Sequence, residues 1–344
     1  MNESIRVHEA TSCLLCSREG ILLYQGLRDR FYGAPGTWSL LRCSDCGLVW
    51  LHPRPVPADI GKLYEQYFTH DTTNGMSDPV LPTAFWNAVL AARFGYKDLS
   101  RSPLQTGLGN ILSWIGPIRD MAELRVMTLG GPPKGTLLDV GCGAGQFLAE
   151  MRQLGWEVMG VEPDSQAVKV ARGHFGLSVH EGTLEEAGFA EATFDAIAMH
   201  HVIEHVSNPI GTLKECHRVL KPGGRLIVVT PNIESLMHRV FREACSLLDP
   251  PRHLYLFSSH TLRTCAERAG LRLVTLRTTA RAARGLWKVS YLIYQNRSLL
   301  GRSPVKNGLW LRLGGLAFQA LEHGLSRVTD AAGELVLVAT RVNA

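Results

Sequence analysis

No stretch of this 344-residue sequence holds the roughly 18 consecutive apolar residues that a membrane-spanning helix requires. The opening Met1-Asn2-Glu3-Ser4-Ile5-Arg6 is not followed by the apolar core of a secretory signal. Together these absences lead to the expectation of a cytoplasmic protein. Internal repeats and low-complexity runs are also lacking. Charge is modest: 19% of residues are charged and the formal net charge is +5, which on its own does not call for a nucleic-acid partner. Hydrophobic residues make up 45%, an ordinary globular balance. The length allows one large domain with a small one, or two modest domains.

What is present is unevenly placed. Of the eight cysteines, Cys13, Cys16, Cys43 and Cys46 form two close pairs, while Cys142, Cys216, Cys245 and Cys265 stand alone. In a reducing compartment such pairs are more often metal ligands than disulfides. Residues 1 to about 60 show no long helical period and end in the Pro-broken His52-Pro53-Arg54-Pro55-Val56-Pro57. From about 58 to 130 the pattern is helical. Phe85, Val89, Leu90 and Phe94 share one face, and Ile111, Trp114, Ile115 and Ile118 suggest another that Pro117 limits. From Thr136 strands and helices alternate, which argues for a mostly parallel sheet covered by helices on both faces. Ligands of such sheets bind at the carboxyl ends of the strands.

The first of those strands runs into Asp139-Val140-Gly141-Cys142-Gly143-Ala144-Gly145-Gln146. Glycines there allow positive φ and close approach of a ligand to backbone. The helix that follows presents free N–H groups to an anionic moiety. A third fingerprint glycine would stand at position 146, and the chain has Gln146, which counts against NAD or FAD. Glu162 ends the second strand, where a carboxylate can accept both ribose hydroxyls. Gly182-Thr183-Leu184 follows the third strand and is placed to meet an adenine. His200-His201-Val202-Ile203-Glu204-His205 follows the fourth, and Lys221-Pro222-Gly223-Gly224 comes later.

In this order and spacing, residues Thr136 to Leu276 closely resemble the class I S-adenosylmethionine-dependent methyltransferases. Within that class they are most similar to the small-molecule group that includes the ubiquinone-pathway O-methyltransferases. The resemblance implies an α/β Rossmann-like sheet, mostly parallel with its last strand antiparallel; Glu334–Thr340 fits that last strand. It implies S-adenosylmethionine as cofactor, contacted by Asp139, Gly141, Gly143, Gly145, Gln146, Glu162, Thr183, Leu184 and His200. It does not imply the acceptor.

Cys13-Leu14-Leu15-Cys16 and Cys43-Ser44-Asp45-Cys46-Gly47 are separated by 26 residues. Four thiolates suit a tetrahedral, structural Zn2+ with no open position for chemistry. With Pro53-Arg54-Pro55 and Tyr64, this segment is similar to bacterial methyltransferases that carry an N-terminal zinc ribbon, many of them tied to surface-glycan or secondary-metabolite sugar pathways. The expected organisation is a zinc-ribbon-like domain over 1–60 and a helical connector or cap over 61–130. The methyltransferase domain then occupies 131–344, with a basic helical insertion at 281–328.

Methyl transfer to a hydroxyl needs positioning and a base. Histidine titrates in the right range. His253, in Pro250-Pro251-Arg252-His253-Leu254-Tyr255, is the first choice and His201 the second; for each, a purely structural hydrogen bond is the competing reading. Arg252 is read either as an anchor for an acidic acceptor or as a surface residue.

Within Arg281–Val328 there are eight basic residues (Arg281, Arg284, Lys288, Arg297, Arg302, Lys306, Arg312, Arg327) and one acid, Glu322, a net of +7. Two readings stand for these amphipathic helices: a cap with solvated arginines, or peripheral contact with an anionic membrane. The leading expectation for the chain is O-methylation of a small-molecule or glycan acceptor, lipid-linked glycans included. The alternatives are an RNA methyltransferase, a sugar C-methyltransferase and a non-catalytic cofactor-binding protein. The first of these is disfavoured by near-neutral charge outside the insertion and by the absence of an Asn-Pro-Pro-Tyr motif after the fourth strand.

Overall fold

The computed structural model describes residues 5–64, 82–100, 102–131, 135–295 and 308–342. Arg297, Arg302 and Lys306 of the basic insertion lie outside the described residues.

The chain opens with short strands: β1 (Val7–His8), β2 (Gly20–Leu27), β3 (Trp38–Cys43), β4 (Val49–His52) and β5 (Arg54–Pro55). Three helices follow, α1 (Thr83–Phe94), α2 (Pro103–Ser113) and α3 (Gly116–Arg125). The alternating part comprises β6 (Thr136–Val140), α4 (Gln146–Gln153), β7 (Glu157–Glu162), α5 (Ser165–Phe175), β8 (Val179–Glu181), β9 (Phe194–His200), α6 (Pro209–Val219) and β10 (Leu220–Pro231). It continues through α7 (Leu236–Phe241), β11 (Tyr255–Leu256), α8 (Ser259–Arg268), β12 (Leu271–Thr279), α9 (Ala283–Tyr294), α10 (Leu309–Leu325) and β13 (Glu334–Arg341). The main sheet has seven strands in the order β12-β13-β10-β9-β6-β7-β8. The β6–β7, β6–β9 and β7–β8 ladders are parallel, and the end of the chain supplies the antiparallel element expected from the sequence.

Two compact units emerge. The first comprises Met1–Tyr67, His200–His217 and Val228–Thr340, and the second Phe68–Met199, Arg218–Ile227 and Arg341–Ala344. In the second unit the sequence dictates the local structure closely. The run Leu137-Leu138-Asp139-Val140 is buried throughout, as a strand flanked on both sides must be. Asp164 caps α5 by accepting from the Gln166 N–H at 2.9 Å, and Gly176 ends the helix at φ 60°. Leu148, Val168, Ala171, Leu177 and Val179 pack around Cys142 behind the Gly141–Gly145 loop. Pro117, read as the limit of the second helical face, stands in the first turn of α3, and Ile111 and Trp114 ahead of it are exposed.

In the first unit a four-stranded sheet runs β11-β4-β3-β2, with antiparallel pairing throughout. Tyr255 pairs with Trp50 and Leu256 with Val49, so the segment just after His253 is a strand of the cysteine-bearing sheet. The capping box of α8, Ser258 with Thr261, fixes the turn that follows.

Candidate functional site

The second unit holds the glycine loop. Gly141, Gly143 and Gly145 all have positive φ, at 71°, 53° and 88°. At Gly145 a Cβ would sit 2.5 Å from Leu177 Cδ1, so only glycine lets α4 start against the core. At Gly143 a Cβ would meet nothing within 4 Å, so the loop's backbone is open to an incoming group. Glu162, at the end of β7, is buried and faces this loop. Its Oε2 accepts from the Gly143 N–H at 2.8 Å and its Oε1 from the Asp164 N–H at 2.9 Å. These two bonds fix the orientation of the carboxylate toward the loop. Asp139 is buried beside them. Desolvation, and then the charge of Glu162, push its pKa well above the usual carboxylate range. Two carboxyl groups, a half-buried glycine loop and a helix start have the chemistry to meet the ribose and amino-acid ends of S-adenosylmethionine.

Thr183 and Leu184 lie further along. The Thr183 hydroxyl accepts from the Glu186 N–H at 3.3 Å while the Thr183 N–H donates to Glu186 Oε2 at 2.8 Å, a reciprocal turn. The Leu184 side chain is buried. A cleft of about 870 Å³ lies at the other end of this unit, beside Gly135, Thr136, Trp156, Asp195 and Lys221. That is where β6 begins, whereas parallel sheets bind ligands where strands end, so the glycine loop is the better candidate.

The histidines belong to the first unit. His200 and His201 meet at 4.6 Å between ring centroids. His201 has both nitrogens engaged: Nδ1 lies 3.0 Å from Glu204 Oε1 and Nε2 lies 2.9 Å from Glu334 Oε1. Despite desolvation, these two carboxylates raise its pKa to about 10. Burial, with His201 and Arg281 nearby, lowers that of His200 to about 3, so it is neutral and accepts from the Arg281 guanidinium at 3.2 Å. Glu204 is fully buried. Against desolvation, His201 brings its pKa to about 2, and Glu204 also accepts from the Thr230 hydroxyl at 2.8 Å.

His253 is buried and lies 4.7 Å from His205, centroid to centroid. Its Nδ1 is 2.8 Å from the Leu247 carbonyl oxygen. A carbonyl can only accept, so Nδ1 carries the hydrogen and donates it. Nε2 lies 3.9 Å from Asp249 Oδ2. His205 Nδ1 lies 2.9 Å from the Tyr64 hydroxyl and 3.0 Å from the Arg252 carbonyl oxygen, and burial lowers its pKa to about 4. Arg252 is neither an exposed residue nor open to an acceptor. It is wholly buried, forked onto Asp29 at 2.7 and 2.9 Å and bound to Asp249 through Nε at 3.0 Å, with the Tyr32 ring 4.7 Å from its guanidinium. It shapes the backbone that carries His253.

Cys13, Cys16, Cys43 and Cys46 converge, with sulfurs within 4.8 Å of one another. Each pair sits on a tight turn. The Ser17 N–H donates to the Cys13 carbonyl at 2.9 Å and the Gly47 N–H to the Cys43 carbonyl at 3.1 Å, with Ser17 and Gly47 both at positive φ. The Leu15 N–H donates to Cys13 Sγ at 3.3 Å, a bond that favours thiolate. The donor set and spacing suit tetrahedral zinc.

The structure thus gathers Asp139, the glycine loop and Glu162 in one unit. It gathers His200, His201, Glu204, His205 and His253 with the four cysteines in the other. Reading the sequence missed Glu334, Arg281, Asp29 and Thr230. Glu334 had one signal: it is a lone acid directly ahead of the apolar run Leu335–Ala339.

Residues 118–276 match the family model for a methyltransferase domain. A ubiquinone biosynthesis O-methyltransferase from Alkalilimnicola ehrlichii is 36% identical over 126 residues, covering 34% of this chain and 51% of the relative. One from Xanthomonas oryzae is 33% identical over 156 residues, covering 42% and 59%. The chain therefore spans between half and three-fifths of the length of these curated relatives. Among solved structures, an S-adenosylmethionine-dependent methyltransferase from Archaeoglobus fulgidus aligns at 18% identity with a TM-score of 0.43, covering 65% of this chain and 92% of that one. The match over residues 118–276, with the mostly parallel seven-stranded sheet, makes this part of the chain a methyltransferase domain of the S-adenosylmethionine-dependent, Rossmann-like kind.

Proposed function

We propose that this protein transfers a methyl group from S-adenosylmethionine to a hydroxyl of a small-molecule or glycan acceptor. The observation that carries the cofactor half is the Glu162 carboxylate held by the Gly143 and Asp164 N–H groups beside an open glycine backbone. Glu162 would accept from the ribose hydroxyls, and the start of α4 would receive the methionine carboxylate. Asp139, Gln146, Thr183, Leu184 and His200 are further proposed contacts. When bound, the cofactor supplies an electrophilic methyl group on a sulfonium centre.

The acceptor hydroxyl loses a proton as it attacks. His253 is the proposed base, because its Nδ1–H is committed to the Leu247 carbonyl and its Nε2 lone pair is left to accept. His201, the second candidate, is held by two carboxylates as a cation at neutral pH. That suits fixing the loop after β9 better than taking a proton. Four cysteine thiolates would hold a structural Zn2+ in the sheet that β11 joins, giving the His253 segment a rigid footing. The small-molecule acceptor is supported by the relatives named ubiquinone biosynthesis O-methyltransferases, and the glycan acceptor by the resemblance of the cysteine segment to ribbon-bearing enzymes of glycan pathways.

The test is cofactor binding by calorimetry on wild type and Glu162→Ala, followed by radiolabelled methyl transfer to a panel of phenolic and glycan hydroxyl acceptors. Binding lost in the variant with turnover on an oxygen acceptor is the expected result. Tight binding with no transfer to any acceptor would favour a non-catalytic cofactor-binding protein, and transfer to carbon would correct the acceptor atom.

A further inference from the structure

Helix α10 is apolar on the side that should face water. Leu309 and Trp310 are 71% and 85% exposed, and Leu313, Leu316, Ala320 and Leu321 are exposed beside them. At 100° per residue these six fall within one arc of about 140°. The opposite side is committed to the protein. Gly315 meets the backbone of Arg284 on α9, where an added Cβ would lie 3.2 Å from its carbonyl oxygen, and Phe318 is buried. Gln319 donates to the Ala280 and Arg281 carbonyls at 3.2 Å. The buried Glu322 carboxylate accepts from the Met237 and Gly333 N–H groups at 3.3 and 3.2 Å. These polar anchors fix the helix about its own axis, so the apolar arc cannot turn inward. A helix apolar on both sides is normally covered on both.

Charge selects what covers it. Among the described residues of α9, α10 and the bend through Asp330, Arg284, Lys288, Arg312 and Arg327 are basic; of the two acids, Glu322 is buried and Asp330 lies beyond the end of α10, away from the apolar arc. Arg284, Arg312 and Arg327 are exposed, and Arg312 borders the apolar arc, where its stem can lie along the interface while the guanidinium reaches outward. A second copy of the chain docked on this helix by a two-fold axis would set Arg312 against its own like charge, with no exposed acid among the residues of α10 to balance it. An anionic lipid surface answers both features, apolar depth and negative headgroups. No helix among the described residues is long and apolar enough to cross a membrane, so the helix would lie in the interfacial plane. We propose that α10 is an interfacial membrane anchor, inserting its Leu309–Leu321 arc into anionic bilayers with the flanking arginines on the headgroups. This goes beyond the methyl-transfer reading and does not depend on it.

The experiment is flotation of the full chain with phosphatidylcholine vesicles and with vesicles that also contain phosphatidylglycerol, scored without any turnover. Binding should need the anionic lipid and fall as salt rises. Leu313→Asp combined with Trp310→Ser should abolish flotation while the thermal unfolding midpoint is unchanged, since both side chains are exposed. Arg312→Gln should weaken binding roughly fivefold. Inorganic phosphate should not compete at millimolar concentration, because a lone anion offers no apolar phase. No flotation at low salt overturns the proposal. So does flotation that survives the double variant but is lost on Trp114→Ser, which would move the contact to the segment after α2. A dimer in sedimentation that the double variant dissociates would assign the face to a second copy instead.

Discussion

Nε2 of His201 lies 2.9 Å from Oε1 of Glu334, and the opposite nitrogen of the same ring lies 3.0 Å from Glu204. One imidazolium therefore neutralises two buried carboxylates, and it ties the residue after β9 to the first residue of β13. The backbone at His201 has φ 55°, a conformation that a non-glycine residue holds only when its surroundings insist. The paired carboxylates provide that insistence.

The pH dependence of this cluster has a definite sign. His201 is raised to about 10, above the ordinary value of 6.5, so its contribution is fully present below about 6.5 and is lost as pH rises toward 10. Glu204 and Glu334 are lowered to about 2, so theirs is present above their ordinary 4.5 and is lost as pH falls toward 2. Glu334→Gln should destabilise the fold by about 2 kcal/mol at neutral pH, below the roughly 3–5 kcal/mol of a fully buried broken pair, because His201 is partly exposed to solvent. Denaturant unfolding across pH should show that loss shrinking above pH 9. A pH-independent difference would mean that the pair does not titrate as drawn.

Glu162 gives the second prediction. Removing its carboxylate as Glu162→Ala deletes two acceptors for the ribose and releases the Gly143 N–H. Charge-assisted hydrogen bonds contribute about 1.5–3 kcal/mol each. Cofactor affinity by calorimetry should fall by roughly a hundredfold or more. An affinity within threefold of wild type would remove Glu162 from the cofactor site.

Most of this second unit was readable in advance, and the reason is local. A buried parallel strand, a glycine loop and a capped helix are each written in a few consecutive residues, as in Leu137–Gln146 and Asp164–Gly176. The histidine cluster was readable only in part. His201 and His253 stand out as residues, but their states depend on partners far along the chain: Glu334 is 133 positions from His201, and Asp29 is 223 from Arg252. Arg252 was misread for the same reason. A guanidinium looks solvent-bound in sequence, and only a distant aspartate folded onto it makes burial tolerable.

Arg252 yields the third prediction. Arg252→Ala would leave Asp29 and Asp249 buried without their counter-charge. Stability should drop by about 3–5 kcal/mol. Arg252→Lys should recover only part of it, since a point charge cannot fork onto Asp29. Thermal unfolding with turnover measured on the folded fraction separates a scaffold role from substrate binding. A stable Arg252→Ala protein with a raised KM would reinstate Arg252 as an acceptor anchor.

Zinc is the fourth. The purified chain should contain one zinc ion, measurable by elemental analysis, and Cys46→Ser should lower occupancy and the unfolding midpoint together. Chelation should destabilise the cysteine-bearing sheet without changing cofactor affinity, as four cysteine ligands leave no open position for chemistry. Full stability in a metal-free preparation would show that the cluster holds its turns by hydrogen bonding alone.

The last prediction concerns His253. Its Nδ1–H is donated to the Leu247 carbonyl, a bond that fixes both the ring plane and the tautomer, so the only basic nitrogen is Nε2. His253→Ala should leave cofactor affinity within about twofold, whereas turnover should fall by roughly a hundredfold or more, the usual contribution of a positioned base. His253→Asn, which can keep a donor toward Leu247, should restore stability but not the rate. This separates proton transfer from loop support. If His253→Asn restores the wild-type rate as well, the ring holds the Asp249–Tyr255 segment in shape and the base lies elsewhere. In that case His201, a cation in this cluster, would remain a poor substitute until Glu204 or Glu334 is removed.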